Sequence, residues 1–182
     1  MLRRSSFLGA LFVLVAMLAT APAAMGARAC ESASATPAKA AKRTMVRATL
    51  CTLNAQRERH GLRPLKLNKR LSKAARRHAR DMVRRGYFAH DSLGGGTFVD
   101  RIRRSGYLND AHRWTVGENL AWGTSTTSAP RAITAMWMNS PGHRANILNG
   151  SFREVGIGLA LGAPAAGGGP AATYATDFGA RR

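Results

Sequence analysis

Three side chains in this sequence are of the types that perform acid–base or metal chemistry: His90, Glu118 and His143. A neutral imidazole keeps a ring lone pair that can bind a metal, accept a proton or accept a hydrogen bond. His143 lies in WMNSPGHRANIL, residues 137–148, which reads as the end of one helix and the start of another. Ser140 is of N-cap type, and Pro141 suits the first helical position, where a missing N–H costs nothing. Gly142 and His143 then fall in the first turn, where the positive end of the helix dipole disfavours imidazolium. His90 follows Gly86 and two aromatics, Tyr87 and Phe88. Glu118 sits between Gly117 and Asn119 in a mostly uncharged run, and the chain has only 9 Asp and Glu. An acid among apolar neighbours needs a partner. Two neutral imidazoles and a carboxylate suffice for a zinc-type site or for water activation, with Glu118 as general base. The intervals are long, 28 residues from His90 to Glu118 and 25 from Glu118 to His143, so the three meet only if the fold brings them together. The plainer alternative leaves His143 as decoration on a helix start.

The elements that would position these groups follow from periodicity. Val46, Leu50 and Leu53 recur at helical spacing from Met45, and Gly61 suits the end of that helix. The clearest helix spans 69–85 with Asn68 as its cap; Leu71, Ala75, His78 and Met82 make an apolar stripe, and basic residues fill the other positions. The basic positions read as a solvated face or as a ridge that docks polyanions. His78, on the apolar stripe, reads as a hydrogen-bonded core histidine rather than a ligand. The Gly94–Gly96 triplet marks a loop, and Thr97 can cap a short helix carrying Phe98, Arg101 and Ile102. Residues 108–116 read as irregular, and 117–123 as an extended segment or tight loop in the interior. Ser128 and Pro130 begin a further helix. Two strands, 154–161 and 172–178, close the domain across a Gly/Ala/Pro connection.

The chain of 182 residues suits one domain. Its start does not belong to that domain: Arg3 and Arg4 precede an apolar run, Phe7–Ala19, and then small residues. This is the pattern of a secretory signal peptide over 1–29, cleaved after Gly26 or Ala29. Residues 30–44 read as a linker or loosely docked arm before a domain at 45–182. Export to an oxidising compartment makes a Cys30–Cys51 disulfide the natural inference. The alternative is a free thiol at Cys51 with a lipid, or nothing, on Cys30. The formal charge is +19, from 28 Lys and Arg against 9 Asp and Glu, and loss of Arg3, Arg4 and Arg28 with the leader leaves +16. Such a protein is drawn to anionic lipids and envelope polymers. No zinc-finger spacing or aromatic RNA-binding strand accompanies the charge, so no specific nucleic acid is indicated.

The order of motifs resembles the CAP superfamily, also called SCP-like: cysteine-rich secretory proteins, venom antigens and pathogenesis-related proteins. The matching pieces are LNAQRERHGLRPL (53–65), LSKAARRHARDM (71–82), HDS (90–92), FVDRIRRSGY (98–107), VGENLAWG (116–123), WMNSPGHRANIL (137–148), VGIGLA (155–160) and YATDFG (174–179). The spacing is similar to the compact bacterial branch. The resemblance implies an α+β fold, a three-layer α-β-α sandwich around a small antiparallel sheet. It also implies a cleft lined by His90, Glu118 and His143. Larger eukaryotic members carry a second cleft acid, for which Asp100 is the candidate by position. In some members the two histidines bind a divalent metal, usually zinc; others are taken as lipid or sterol carriers, proteases or interaction modules. Asn54, Arg57, Asn119 and Asn146 read as structural polar contacts, and Trp122 and Trp137 as core. Arg144 could pair with an acid or face an anionic ligand.

Three functions are open to such a chain. The first is a secreted, extracellular, monomeric and non-enzymatic module, whose cleft binds a small ligand, lipid or metal and whose basic surface meets anionic envelope components. The absence of a nucleophile motif favours it. The second is a metal-assisted hydrolase, a protease or wall-active enzyme, with Glu118 as base. The third is a polyanion-binding module with a vestigial cleft.

Overall fold

The computed structural model describes residues 30–165 and 169–182. The expected leader over 1–29 lies outside the described residues. Helix α1 spans Lys42–Arg59 and begins three residues before the apolar repeat that announced it. Strand β1 is Lys66–Leu67, helix α2 Lys69–Arg85 and helix α3 Phe98–Arg104. Strand β2 runs Trp114–Thr124 and is followed by a short 3-10 turn, Ser125–Ser128. Helices α4, Pro130–Met138, and α5, Pro141–Ile147, lead to strands β3, Glu154–Leu161, and β4, Ala171–Arg181.

Local chemistry explains the boundaries of α2. Asn68 accepts from the backbone N–H groups of Arg70 and Leu71, and Gly86 ends the helix in the left-handed region at φ 65°. Helix α3 is closed at its start by a capping box between Thr97 and Asp100. Ser140 occupies the cap position of α5 ahead of Pro141, yet its side chain makes no capping bond.

The four strands are ordered β1-β3-β4-β2. Pairing is antiparallel except at two-residue β1, which runs parallel to β3. Strand alternation gives the sheet two apolar faces. On one, Val155, Ile157, Leu159, Tyr174 and Phe178 meet α1 and α4 through Met45, Leu53, Ile133 and Trp137. On the other, Leu120, Ala160 and Ala175 meet Ala75, Ala79 and Met82 of α2. This is the three-layer sandwich expected from the motif order. Helix α2 lies directly on β3 because the strand offers glycine there: a Cβ at Gly156 would fall 2.0 Å from the Leu71 carbonyl carbon, and one at Gly158 2.2 Å from that of Ala75.

Buried polar groups tie the layers at fixed points. Arg57, fully buried, finds no acid and donates instead to the carbonyls of Arg63, Ile147, Asn149 and Phe152. Asn54 brackets Leu65 by bonding both its N–H and its carbonyl. Residues before α1 form turns held at two places. Cys30 is bonded to Cys51, and the carbonyl of buried Ala33 accepts from the Arg131 N–H. The disulfide uses the Cys30 sulfur and so leaves no thiol there to lipidate.

Candidate functional site

Glu118 organises the site. It lies on β2 with its side chain 1% exposed, on the face turned toward α2 and α3. A lone buried carboxylate would be costly, and two donors offset that cost. His90 Nδ1 stands 2.8 Å from Oε1, and the Arg101 guanidinium donates to Oε2 at 2.7 Å. A carboxylate oxygen accepts, so Nδ1 carries the hydrogen of the His90 ring. The ring side chain is 54% exposed, which turns Nε2 toward solvent. The bond to Glu118 raises the His90 pKa above its ordinary 6.5, a shift opposite in direction to the neutral preference expected from sequence.

His143 sits in the first turn of α5, as its motif indicated. Its pKa is lowered by burial and then by the charge of His90. Asparagines hold this half of the site. Asn119 Nδ2 donates to the His143 carbonyl at 3.0 Å, and Asn146 Nδ2 donates to the Glu118 carbonyl at 3.2 Å and to Asn119 Oδ1 at 2.8 Å. Gly117 makes room for this clamp, since a Cβ there would fall 2.8 Å from Asn146 Oδ1. Glu118 and Asn119 point to opposite faces of β2, an edge strand of the sheet. The site therefore straddles that edge, with His90 and Arg101 on one side and His143 on the other.

Asp100 does not join the group. Its carboxylate accepts from the Thr97 N–H and hydroxyl and pairs with Arg103 at 3.0 Å on the surface. Neighbours one apart on a helix face different directions, so Asp100 turns outward where Arg101 turns in. Arg144 is exposed and lies 3.5 Å from His60 Nε2, apart from Glu118. His78 is a core histidine: its Nε2 donates to the Ala89 carbonyl at 2.9 Å, and burial lowers its pKa.

Two residues of the site were not singled out beforehand. Arg101 is buried on α3 beside Ile102, on the side where Phe98 is partly covered and the capping Ser105 is buried, a spacing visible in the sequence. Asp177 pairs directly across from Glu118 in the β2–β4 ladder. It is 1% exposed, no donor among the described residues reaches either carboxyl oxygen, and its polar neighbour is the Glu118 carboxylate. Burial, followed by the neighbouring Glu118 charge, pushes its carboxyl well above the usual range, which favours the neutral acid. The rule that an acid among apolar residues needs a partner applied to Asp177 in YATDF as it did to Glu118.

This geometry changes the expected role of Glu118. Both its oxygens are engaged, so it orients His90 and neutralises Arg101, and among the described residues His90 Nε2 is the ring nitrogen without a bond. A carboxylate holding one nitrogen of an imidazole is the arrangement that prepares the other nitrogen for a metal. Among the described residues no group of three or more His, Cys, Asp or Glu side chains gathers to hold an ion. Any ion there would have to take most of its ligands from water or from a bound molecule, since the candidate protein donors are the two imidazoles alone.

A mixed sheet between helical layers, with one histidine on a buried acid at the sheet edge and the carbonyl of a second held there by Asn119, defines an SCP-like domain. Residues 50–167 match the cysteine-rich secretory protein family, CAP, and the chain belongs to that family. It is 41% identical over 105 residues to the uncharacterized protein YkwD of Bacillus subtilis, covering 58% of this chain and 38% of the relative. It is 32% identical over 106 residues to the uncharacterized membrane protein YlbC of the same organism, covering 58% and 29%. The chain thus spans well under half of either relative. Among solved structures it is similar to an extracellular protein containing an SCP domain from Bacillus anthracis, with TM-score 0.59, 28% identity and coverage of 76% of this chain and 43% of the other. An outer surface protein of Borrelia burgdorferi shares the fold, with TM-score 0.59, 22% identity and coverage of 71% and 87%.

Proposed function

We propose that this protein is a secreted, non-enzymatic binding module. Its cleft captures a divalent metal, lipid or other small ligand through His90 and His143, and its basic surface meets anionic envelope components. The observation that carries this reading is the chain Arg101–Glu118–His90, which fixes one ring and leaves its Nε2 outward. Occupation of both Glu118 oxygens weighs against the hydrolase reading, which needs that carboxylate as a free base. Zinc, where bound, would be held by His90 and His143 and would supply a Lewis acid to an oxygen of the ligand. Secretion is supported by the leader-like start of the sequence, by the Cys30–Cys51 disulfide, and by neighbours described as extracellular or outer surface proteins.

Titration of zinc into the purified protein, followed by NMR of the histidine rings, tests the metal form of this reading. The His90 and His143 signals are expected to move with one midpoint, and His143→Ala to weaken binding by about tenfold or more. Rings unmoved at about 1 mM zinc, a concentration that reveals even weak sites, would remove metal and leave lipid or an organic ligand as the occupant.

A further inference from the structure

A cavity of about 430 Å³ lies between α2 and α3, behind the Glu118 group. It is a different place from the cleft, for neither His90 nor His143 lines it. Five arginines do: Arg77, Arg80 and Arg84 from α2, and Arg101 and Arg104 from α3. The single acid in the wall, Asp81, is engaged elsewhere. It accepts from the Tyr87 hydroxyl at 2.6 Å and pairs with Arg85. Among the described residues no carboxylate lies within 4.0 Å of Arg77, Arg80, Arg84 or Arg104. Every Asp and Glu of the chain falls within the described residues, so the remaining segments bring no acid to neutralise the cavity.

Like charges facing one another across a gap raise the energy of the fold, and a bound anion removes that cost. The α2 arginines recur at intervals of three, four and seven, which places them on one helix face toward α3. Arg101 adds a second observation. It is 8% exposed, it lines the cavity, and its Nε has no hydrogen-bond partner among the described residues. Its other nitrogens donate to Glu118, Ser92 and the Gly96 carbonyl, so the guanidinium is fixed in place at the cavity wall with its buried Nε–H unpaired.

We infer that this cavity binds a compact phosphoryl group carrying several negative charges. Guanidinium forks match phosphate oxygens in pairs, and four guanidiniums without a carboxylate partner, Arg77, Arg80, Arg84 and Arg104, call for more charge than a single carboxylate brings. The volume is that of a small-molecule site. The inference rests on the reading of the basic surface as the anion-facing side, and it gives that attraction a definite seat. The phosphoryl group could be soluble or the headgroup of an anionic lipid.

The test measures binding of inorganic diphosphate by calorimetry, and of phosphatidylglycerol vesicles by sedimentation, at low salt. Three proteins are compared: wild type, the double variant Arg77→Gln/Arg104→Gln, and a control of equal charge loss, Arg47→Gln/Arg131→Gln. All four substituted residues are exposed, and circular dichroism checks the fold of each variant. Loss of about tenfold or more in the cavity variant, against a loss of about twofold or less in the control, supports the site. Diphosphate binding makes the ligand soluble; binding to vesicles alone makes it a headgroup. Equal losses in both variants would overturn the cavity and leave diffuse surface attraction standing. No binding of either probe by the wild type would overturn both.

Discussion

Glu118 shows how much one buried acid can organise. Its carboxylate holds an imidazole on one oxygen and a guanidinium on the other. Glu118→Gln keeps the shape and leaves the buried Arg101 without its counter-charge, so it is expected to cost about 3–5 kcal/mol in urea unfolding. Asp177 acts in the opposite sense. Its carboxyl is pushed up by burial beside Glu118, so ionising it opposes folding as pH rises above the ordinary carboxylate range. Asp177→Asn removes that penalty and is expected to raise the neutral-pH unfolding midpoint, with the gain vanishing in acid. At this scale the sequence was partly legible. His90, Glu118 and His143 stood out because polar groups in apolar runs need explanation. Asp100 drew attention away from Arg101, because position along a motif does not say which of two adjacent helical residues turns inward. The preference of His143 for its neutral form was expected from the helix dipole, whereas burial and the His90 charge are its causes here.

The elements were the most readable level, because hydrophobic period and end signals act locally. Helix α2 has the span and cap read from its stripe, and β3 begins and ends where its alternation did. Strand β2 was read only in part. Its first residues, Trp114–Val116, belong to the sheet through pairing with Arg181, Ala180 and Gly179, long-range contacts that no local pattern announces. The glycines of β3 mark where packing is tightest. Gly158→Ala places a methyl carbon against the α2 backbone and is expected to cost about 3 kcal/mol or more by chemical denaturation. The Cys30–Cys51 bond closes a loop with a sequence separation of 21. Replacing both cysteines by serine is expected to lower stability by about 3 kcal/mol, read from the same unfolding curves.

For the whole molecule, charge is the dominant fact. With +19 over the full sequence, its association with phosphatidylglycerol vesicles is expected to weaken as NaCl rises from about 0.05 M to about 0.5 M, where screening confines charges to contact range. Stability should depend on pH through the histidines in two directions. The His90–Glu118 attraction is fully present below pH 6.5 and is lost as pH rises through the raised pKa of His90 in the folded protein. His78 and His143 have lowered pKa values, so what they contribute is present above 6.5 and lost as pH falls through those lower values. The stability difference between wild type and His90→Ala is therefore expected to be largest in mild acid and to narrow above neutrality. Layer order was legible from the motifs, but the straddling of the β2 edge was not, because it depends on which strand ends the sheet.

The central claim is that His90 and His143, distant along the chain, share one site at that edge. Ring titration by NMR in wild type and in His90→Ala tests it most directly. In the wild type His90 is expected to titrate above 6.5 and His143 below it, and removal of the His90 ring is expected to move the His143 midpoint upward. A His143 midpoint indifferent to His90→Ala would contradict the account, because the two rings would then not belong to one site.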